Sequence, residues 1–139
     1  MREKLQRVGT TYIPVTDIES SKDWYVEKLG AELSYIDEDK AILNLADQSF
    51  FLVRSHRGQT SNFKDIYGEE RFSLTFEVNG IGALEHIHLD FIKKEIIVGK
   101  IENRGHEGRN FVFQDPDGNK FDIWSELSSK FKELHMITP

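Results

Sequence analysis

FVFQDPDGNKFDIW, residues 111–124, is the stretch whose reading decides the fold. Its runs FVFQ and KFDIW flank the turn Asp115-Pro116-Asp117-Gly118-Asn119. Pro116 pre-sets φ at the second turn position, Asp117 suits the third, and Gly118 tolerates positive φ. The runs are therefore predicted to fold back on each other as a β-hairpin. Alternation sets Phe121 and Ile123 on one face of it and Lys120, Asp122 and Trp124 on the other. DPDGN is not a calcium loop of the EF-hand kind, because its glycine is at the fourth rather than the sixth position, counting the first aspartate as one.

Working outward, the same grammar appears twice. VGTTYIPV (8–15) reads as a strand, with Pro14 marking a strand end or an edge. Asp17 suits a helix N-cap or a near-cap turn. Ile18, Trp24, Tyr25 and Leu29 fall at helical spacings, and Gly30 is placed to stop the helix. AELSYID (31–37), KAILNL (40–45) and QSFFLVR (48–54) form a predicted meander. Residues 55–70 are polar and read as a linker with one helical turn near Phe63–Tyr67. SLTFEV (73–78) alternates cleanly, residues 83–92 read as a helix, and EIIVGKIE (95–102) as a strand. A loop, Arg104-Gly105-His106-Glu107-Gly108, leads into the hairpin, and residues 126–135 suit a short helix. The order is βαβββ, linker, βαβββ. The halves share an order of elements rather than a sequence repeat.

Composition narrows the function. The 139 residues make one domain or two small modules, and ten Phe supply a core. Lys plus Arg number 18 against 24 Asp plus Glu, a net charge of −6, which argues against a nucleic-acid-binding face. The absence of cysteine excludes disulfides, thiolate metal sites and cysteine nucleophiles. The N-terminus shows no apolar secretion segment, and no apolar run has membrane-spanning length, so a cytoplasmic protein is expected.

This organisation resembles the vicinal oxygen chelate superfamily, which includes glyoxalase I, bleomycin-resistance proteins, fosfomycin-resistance enzymes and extradiol dioxygenases. VTDIESSKDWYVEKLGAEL looks like the family's first strand exit and helix, with Ser21, Trp24-Tyr25 and Leu29-Gly30 at familiar positions. FSLTFEVNGI resembles the start of the second module, and FVFQDPDGNKFDIW matches the closing hairpin. The resemblance covers roughly Val8 to Glu126. It implies an α+β fold of two βαβββ modules forming a curled mixed sheet around a cleft, with helices on the convex side. The modules would span 7–54 and 71–126, joined by the linker 55–70 and followed by a tail, 127–139. It also implies a homodimer.

Enzymes of this family hold a divalent ion with His, Glu or Gln from four strands and use it as a Lewis acid. Counted from the matching motifs, those positions fall here on Thr10, on one of Leu52, Val53 or Arg54, on Ser73 and on Asp122. Asp122 alone is a strong ligand, and it is left without partners, so no family-type metal site and no metal cofactor are expected. His86 and His88 diverge on their helix, and His88 is expected to pack at the helix–sheet boundary. His56 alone lies near the expected cleft, and reads as an exposed loop residue.

The expected cleft lining is Thr10, Tyr12, Arg54, Ser73, Thr75, Asp122 and Trp124, with Tyr35 as a further candidate. Aromatic faces, hydroxyls and one ion of each sign suit an amphipathic organic ligand. The competing reading is that Asp122 and Arg54 simply pair across the sheet. The function expected is a metal-free small-molecule-binding protein, with no nucleic-acid or membrane partner. The alternative is a metal-dependent lyase, isomerase or dioxygenase of the same superfamily with an atypical ligand set, the one reading that leaves room for a divalent metal. A third option is a structural or regulatory dimer without a ligand. No nucleophile-plus-base arrangement supports a metal-free enzyme.

Overall fold

In the computed structural model, which describes residues 2–137, the chain forms two compact units, Met1–Thr60 and Ser61–Pro139. Residues 138 and 139, the end of the expected tail, lie outside the described residues. The fold is α+β, as expected. No helix among the described residues is long and apolar enough to cross a membrane.

The first unit carries β1 (Thr10–Val15), α1 (Ile18–Leu29), β2 (Glu32–Ile36), β3 (Lys40–Leu45) and β4 (Gln48–Arg54) in a sheet of order β1-β4-β3-β2. β1 runs parallel to β4, and the other pairs are antiparallel. As an edge strand, β1 tolerates Pro14, whose missing N–H costs no ladder bond on the open side. α1 starts where the Asp17 carboxylate accepts from Ser20 N at 2.9 Å, and stops where Gly30 takes φ 75° and donates to the Tyr25 carbonyl. Ile13, Val15, Ala41, Leu43, Phe50 and Leu52 are buried together with Ile18 and Tyr25 of α1. β3 and β4 join through Ala46 and Asp47, both left-handed at φ 50° and 63°, the backbone of a two-residue hairpin turn.

The β2–β3 turn is electrostatic. Asp37 accepts from the Asp39 and Lys40 backbone N–H groups at 2.9 and 3.0 Å, from the Tyr35 hydroxyl at 2.8 Å and from Lys40 Nζ at 2.7 Å. The Lys40 ammonium above all, aided by the Asp39 N–H and the Tyr35 hydroxyl, holds the Asp37 carboxyl well below the usual range. A depressed folded-state pKa stabilises above the unfolded-state value, and that contribution is lost as pH falls through the folded-state value. Because the turn is exposed, the effect on global stability is small. The prediction is therefore local: an NMR titration will find Asp37 still ionised where other carboxylates have protonated, and Lys40→Met will return it towards the ordinary range.

The second unit opens with a short ladder, β5 (Phe63–Lys64) with β6 (Glu70–Arg71), and continues with β7 (Thr75–Glu77), α2 (Ile81–Lys93), β8 (Ile97–Val98), β9 (Asn110–Gln114), β10 (Lys120–Trp124) and α3 (Ser129–Leu134). Its main sheet, β7-β10-β9-β8, repeats the strand permutation of the first, with the outer pair β7 and β10 again parallel. Phe76, Phe91, Phe113 and Phe121 form a ring cluster, with Phe91 and Phe113 centroids 5.0 Å apart and Phe113 and Phe121 5.4 Å apart. His88 on α2 meets Phe111 edge-on at 4.7 Å and bonds the Gly99 carbonyl at 2.8 Å, the boundary position expected for it.

Two expectations are corrected. The helical turn near Phe63–Tyr67 is instead the β5–β6 ladder, because Asp65 accepts from Tyr67 N and Glu69 N and reverses the chain. The strand over 95–102 is only Ile97–Val98. The chain then leaves the ladder and touches it again at the single bridge Glu102–Asn110.

The closing hairpin forms as predicted, with Gly118 at φ 87°. The two ends of its turn are buried: Asp115 accepts from Asp117 N and Asn119 N, each at 2.9 Å, and from Asn119 Nδ2 at 2.8 Å. The turn also organises the start of the unit. Asn119 Oδ1 accepts from Ser61 N at 2.8 Å, Asn62 Nδ2 donates to the Gly118 carbonyl at 2.8 Å, and Lys120 N donates to Asn62 Oδ1 at 2.9 Å. Asp115→Ala strands these donors and should cost about 3 kcal/mol, read in urea unfolding as a lower midpoint at unchanged slope.

Candidate functional site

Each sheet buries one face beneath its helix and leaves the other open. In the first unit, the register pairs Tyr12 with Phe51 and Pro14 with Val53 on the face opposite the buried Ile13 and Leu52. The Tyr12 and Phe51 rings lie 5.1 Å apart, and Tyr12 is 63% exposed, so one aromatic face is available. Thr10, also exposed, shares this face. Of the three candidate positions on β4, Leu52 is in the core, Val53 is on the open face without a donor atom, and Arg54 shares the row of Leu52. The Arg54 guanidinium reaches Asp39, with Nε at 3.0 Å and Nη2 at 2.7 Å from Oδ1. Tyr35 is half-exposed and tied to Asp37.

In the second unit, Thr75 and Asp122 are register partners on β7 and β10. Asp122 is 2% exposed, unusual for a carboxylate and possible only with compensation. Its Oδ2 accepts from Asn110 Nδ2 at 2.8 Å and from Thr75 Oγ1 at 3.0 Å. Its Oδ1 lies 3.0 Å from Arg104 Nη2, a charge contact rather than an aligned hydrogen bond. The expectation that Asp122 lacks partners is thus overturned. Arg54, named as its competing partner, is engaged by Asp39 in the first unit.

Arg104 is the residue that sequence reasoning missed. It comes from the loop after β8, where no periodicity marks it. Its Nε and Nη2 donate to Glu102 at 3.4 and 3.2 Å, and its guanidinium lies over the Phe72 ring at 5.5 Å. Partial burial works against its charge, but Glu102 and Asp122 outweigh it and hold its pKa above the ordinary arginine value. Asn110 was missed too, although alternation counted back from Val112 puts it on the Asp122 face. Its Oδ1 is buried with no hydrogen-bond partner among the described residues.

The remaining expected residues sit around this cluster. Ser73 is exposed just before β7, with its hydroxyl 3.5 Å from the Ser61 carbonyl. Trp124 donates from Nε1 to the Glu107 carbonyl at 2.9 Å, and His106 meets its ring edge-on at 5.9 Å. Gly108 makes that approach possible. Its φ is 79°, and an added Cβ would stand 2.7 Å from Ser125 Oγ and 2.8 Å from Trp124 Nε1. Gly108→Ala should therefore cost about 2 kcal/mol and move the Trp124 fluorescence, whereas Gly82→Ala, which has no positive φ and meets nothing within 4 Å, should leave the indole environment unchanged.

The donor set does not fit a family-type divalent ion. Thr10 and Ser73 are weak neutral donors, Val53 is none, and the Asp122 carboxylate is already engaged by a guanidinium. His56 is exposed, and among the described residues no group of three His, Cys, Asp or Glu is placed to hold a metal.

Two modules of βαβββ plan, each with a four-stranded sheet of the same strand permutation, define the fold. Solved structures share it. A lactoylglutathione lyase from Agrobacterium tumefaciens superposes with a TM-score of 0.68 at 13% identity, covering 88% of this chain and 95% of that one. TnmS3, an antibiotic-binding protein from Streptomyces sp. CB03234, gives 0.68 at 22% identity over 88% and 98%. The fosfomycin resistance protein FosX from Listeria monocytogenes, in complex with Mn(II) and sulfate, gives 0.69 at 13% over 97% and 99%. At these identities the likeness is one of fold. No curated protein matches the sequence significantly. The profile of the Glyoxalase/Bleomycin resistance protein/Dioxygenase superfamily matches residues 5–123, and the chain belongs to that superfamily.

Proposed function

We propose that this chain, built of the modules 7–54 and 71–126, is a metal-free binder of an amphipathic organic molecule. The observation that carries the reading is the state of Asp122. The only strong donor among the family's ligand positions is spent on Arg104, Asn110 and Thr75. What remains suits recognition rather than Lewis-acid chemistry: in the first unit the exposed Tyr12 face for stacking and the Thr10 hydroxyl on the same face, and in the second the exposed Ser73 hydroxyl for orientation. Arg104 Nη1, which has no hydrogen-bond partner among the described residues, adds one donor for a ligand oxygen. The fold serves antibiotic binding in TnmS3 and fosfomycin resistance in FosX, so fold alone does not choose between binding and catalysis. A cytoplasmic homodimer is part of the same proposal.

The test is elemental analysis of the purified protein combined with calorimetric titration of an aromatic drug panel that includes bleomycin. A panel member should bind without added metal, and Tyr12→Ala should weaken it about tenfold, the equivalent of one lost stacking contact, with little change in stability because the ring is exposed. A stoichiometric metal that Asp122→Ala removes would falsify the binder reading and restore the metal-dependent alternative.

A further inference from the structure

We infer that Arg104 is a built-in cation that closes a divalent-ion site formed by Asp122, Glu102 and Asn110 in the second unit. The guanidinium bridges the carboxylates, with Nη2 3.0 Å from Asp122 Oδ1 and 3.2 Å from Glu102 Oε2. The group is pre-assembled by backbone. Glu102 and Asn110 exchange both N–H···O bonds, at 2.7 and 3.1 Å, and the Asn110 amide is fixed on Asp122 Oδ2 at 2.8 Å. Of the buried oxygens in the group, Asn110 Oδ1 receives no hydrogen bond among the described residues, and Asp122 Oδ1 is met by the Arg104 guanidinium, whose removal would leave it bare as well. Uncharged or anionic oxygens left without a donor are what a hard cation takes as ligands. The charges agree: with Arg104 the cluster sums to −1, and without it Asp122 and Glu102 leave −2, the complement of a divalent ion. Arginine does not deprotonate in proteins, so the closure is permanent rather than a pH switch.

The inference goes beyond the binder reading and shares with it only the statement that Asp122 takes no ion in the wild-type chain. The experiment is calorimetric titration of the full chain with MnCl2. Wild type and Arg104→Lys, which keeps the positive charge, should show no Asp122-dependent uptake. Arg104→Met, which keeps the stem over Phe72, should bind one Mn2+ per chain at least about tenfold more tightly than wild type, the direction expected when an oxygen-ligand site gains net negative charge. Adding Asp122→Asn to Arg104→Met should abolish that binding.

A folded Arg104→Met chain with no Mn2+ uptake overturns the inference, as does wild-type uptake that Asp122→Asn removes. Should Arg104→Met alone fail to fold, rescue by millimolar Mn2+ supports the inference. Failure of that rescue while Arg104→Met/Asp122→Asn folds overturns it. Mn2+ held by the wild type but insensitive to Asp122→Asn counts against the metal-free binder and leaves the Arg104 closure standing.

Discussion

Asp115 is a carboxylate buried at the tip of a hairpin, where an unsatisfied charge would be prohibitive. Its hydrogen bonds from Asp117 N, Asn119 N and Asn119 Nδ2 make the burial tolerable. With the turn closed in this way, Asn119 can present its own Oδ1 to Ser61, and Asn62 can grip both Gly118 and Lys120. The entry to the second unit and its last hairpin are therefore one hydrogen-bonded assembly. β9 and β10 emerge from it in the register that sets Phe111, Phe113, Phe121 and Ile123 beneath α2 and Asp122 on the other face. A one-residue slip would exchange those faces and put a carboxylate into the phenylalanine cluster.

The same parity that protects the core creates the site. Asp122 cannot join the apolar face, so it lies on the open one, and the low exposure there demands partners. Thr75 arrives because β7 is parallel to β10 in that register, Asn110 because it begins β9, and Arg104 because the chain leaves β8 early. A guanidinium in this position does for Asp122 electrostatically what an ion would do. It adds a planar set of fixed donors that cannot be exchanged or chelated away. Binding surfaces that rely on such fixed groups discriminate by shape and hydrogen bonding, whereas a Lewis acid would also activate what it binds.

Much of this was legible in the chain. Asp17 and Gly30 mark the ends of α1, DPDGN marks the hairpin, and Ser73–Val78 shows its alternation without ambiguity. These are signals whose cause lies within a few residues. Phe63–Tyr67 misled because KDIYGEE has helical composition, while the Asp65 side chain competes for the same backbone donors and wins. EIIVGKIE misled in the other direction. Its apolar content suits a full strand, yet Lys100 and Ile101 leave the ladder and only Glu102 returns to it. Asp122 was expected to lack partners and has three, because its countercharge resides in a loop that no pattern describes.

The sequence by itself determined the duplicated βαβββ plan, its order and which residues of its strands share a face, but not the β5–β6 ladder or the extent of β8. Periodicity, caps and turn chemistry are local, and the buried phenylalanines enforce them. Only the tertiary structure decided that Arg104 meets Asp122 and that Arg54 meets Asp39. The partner of a long charged side chain depends on the path of the loop that carries it. Here that path is set by the Glu102–Asn110 bridge on one side and by the left-handed backbone of Gly108 on the other.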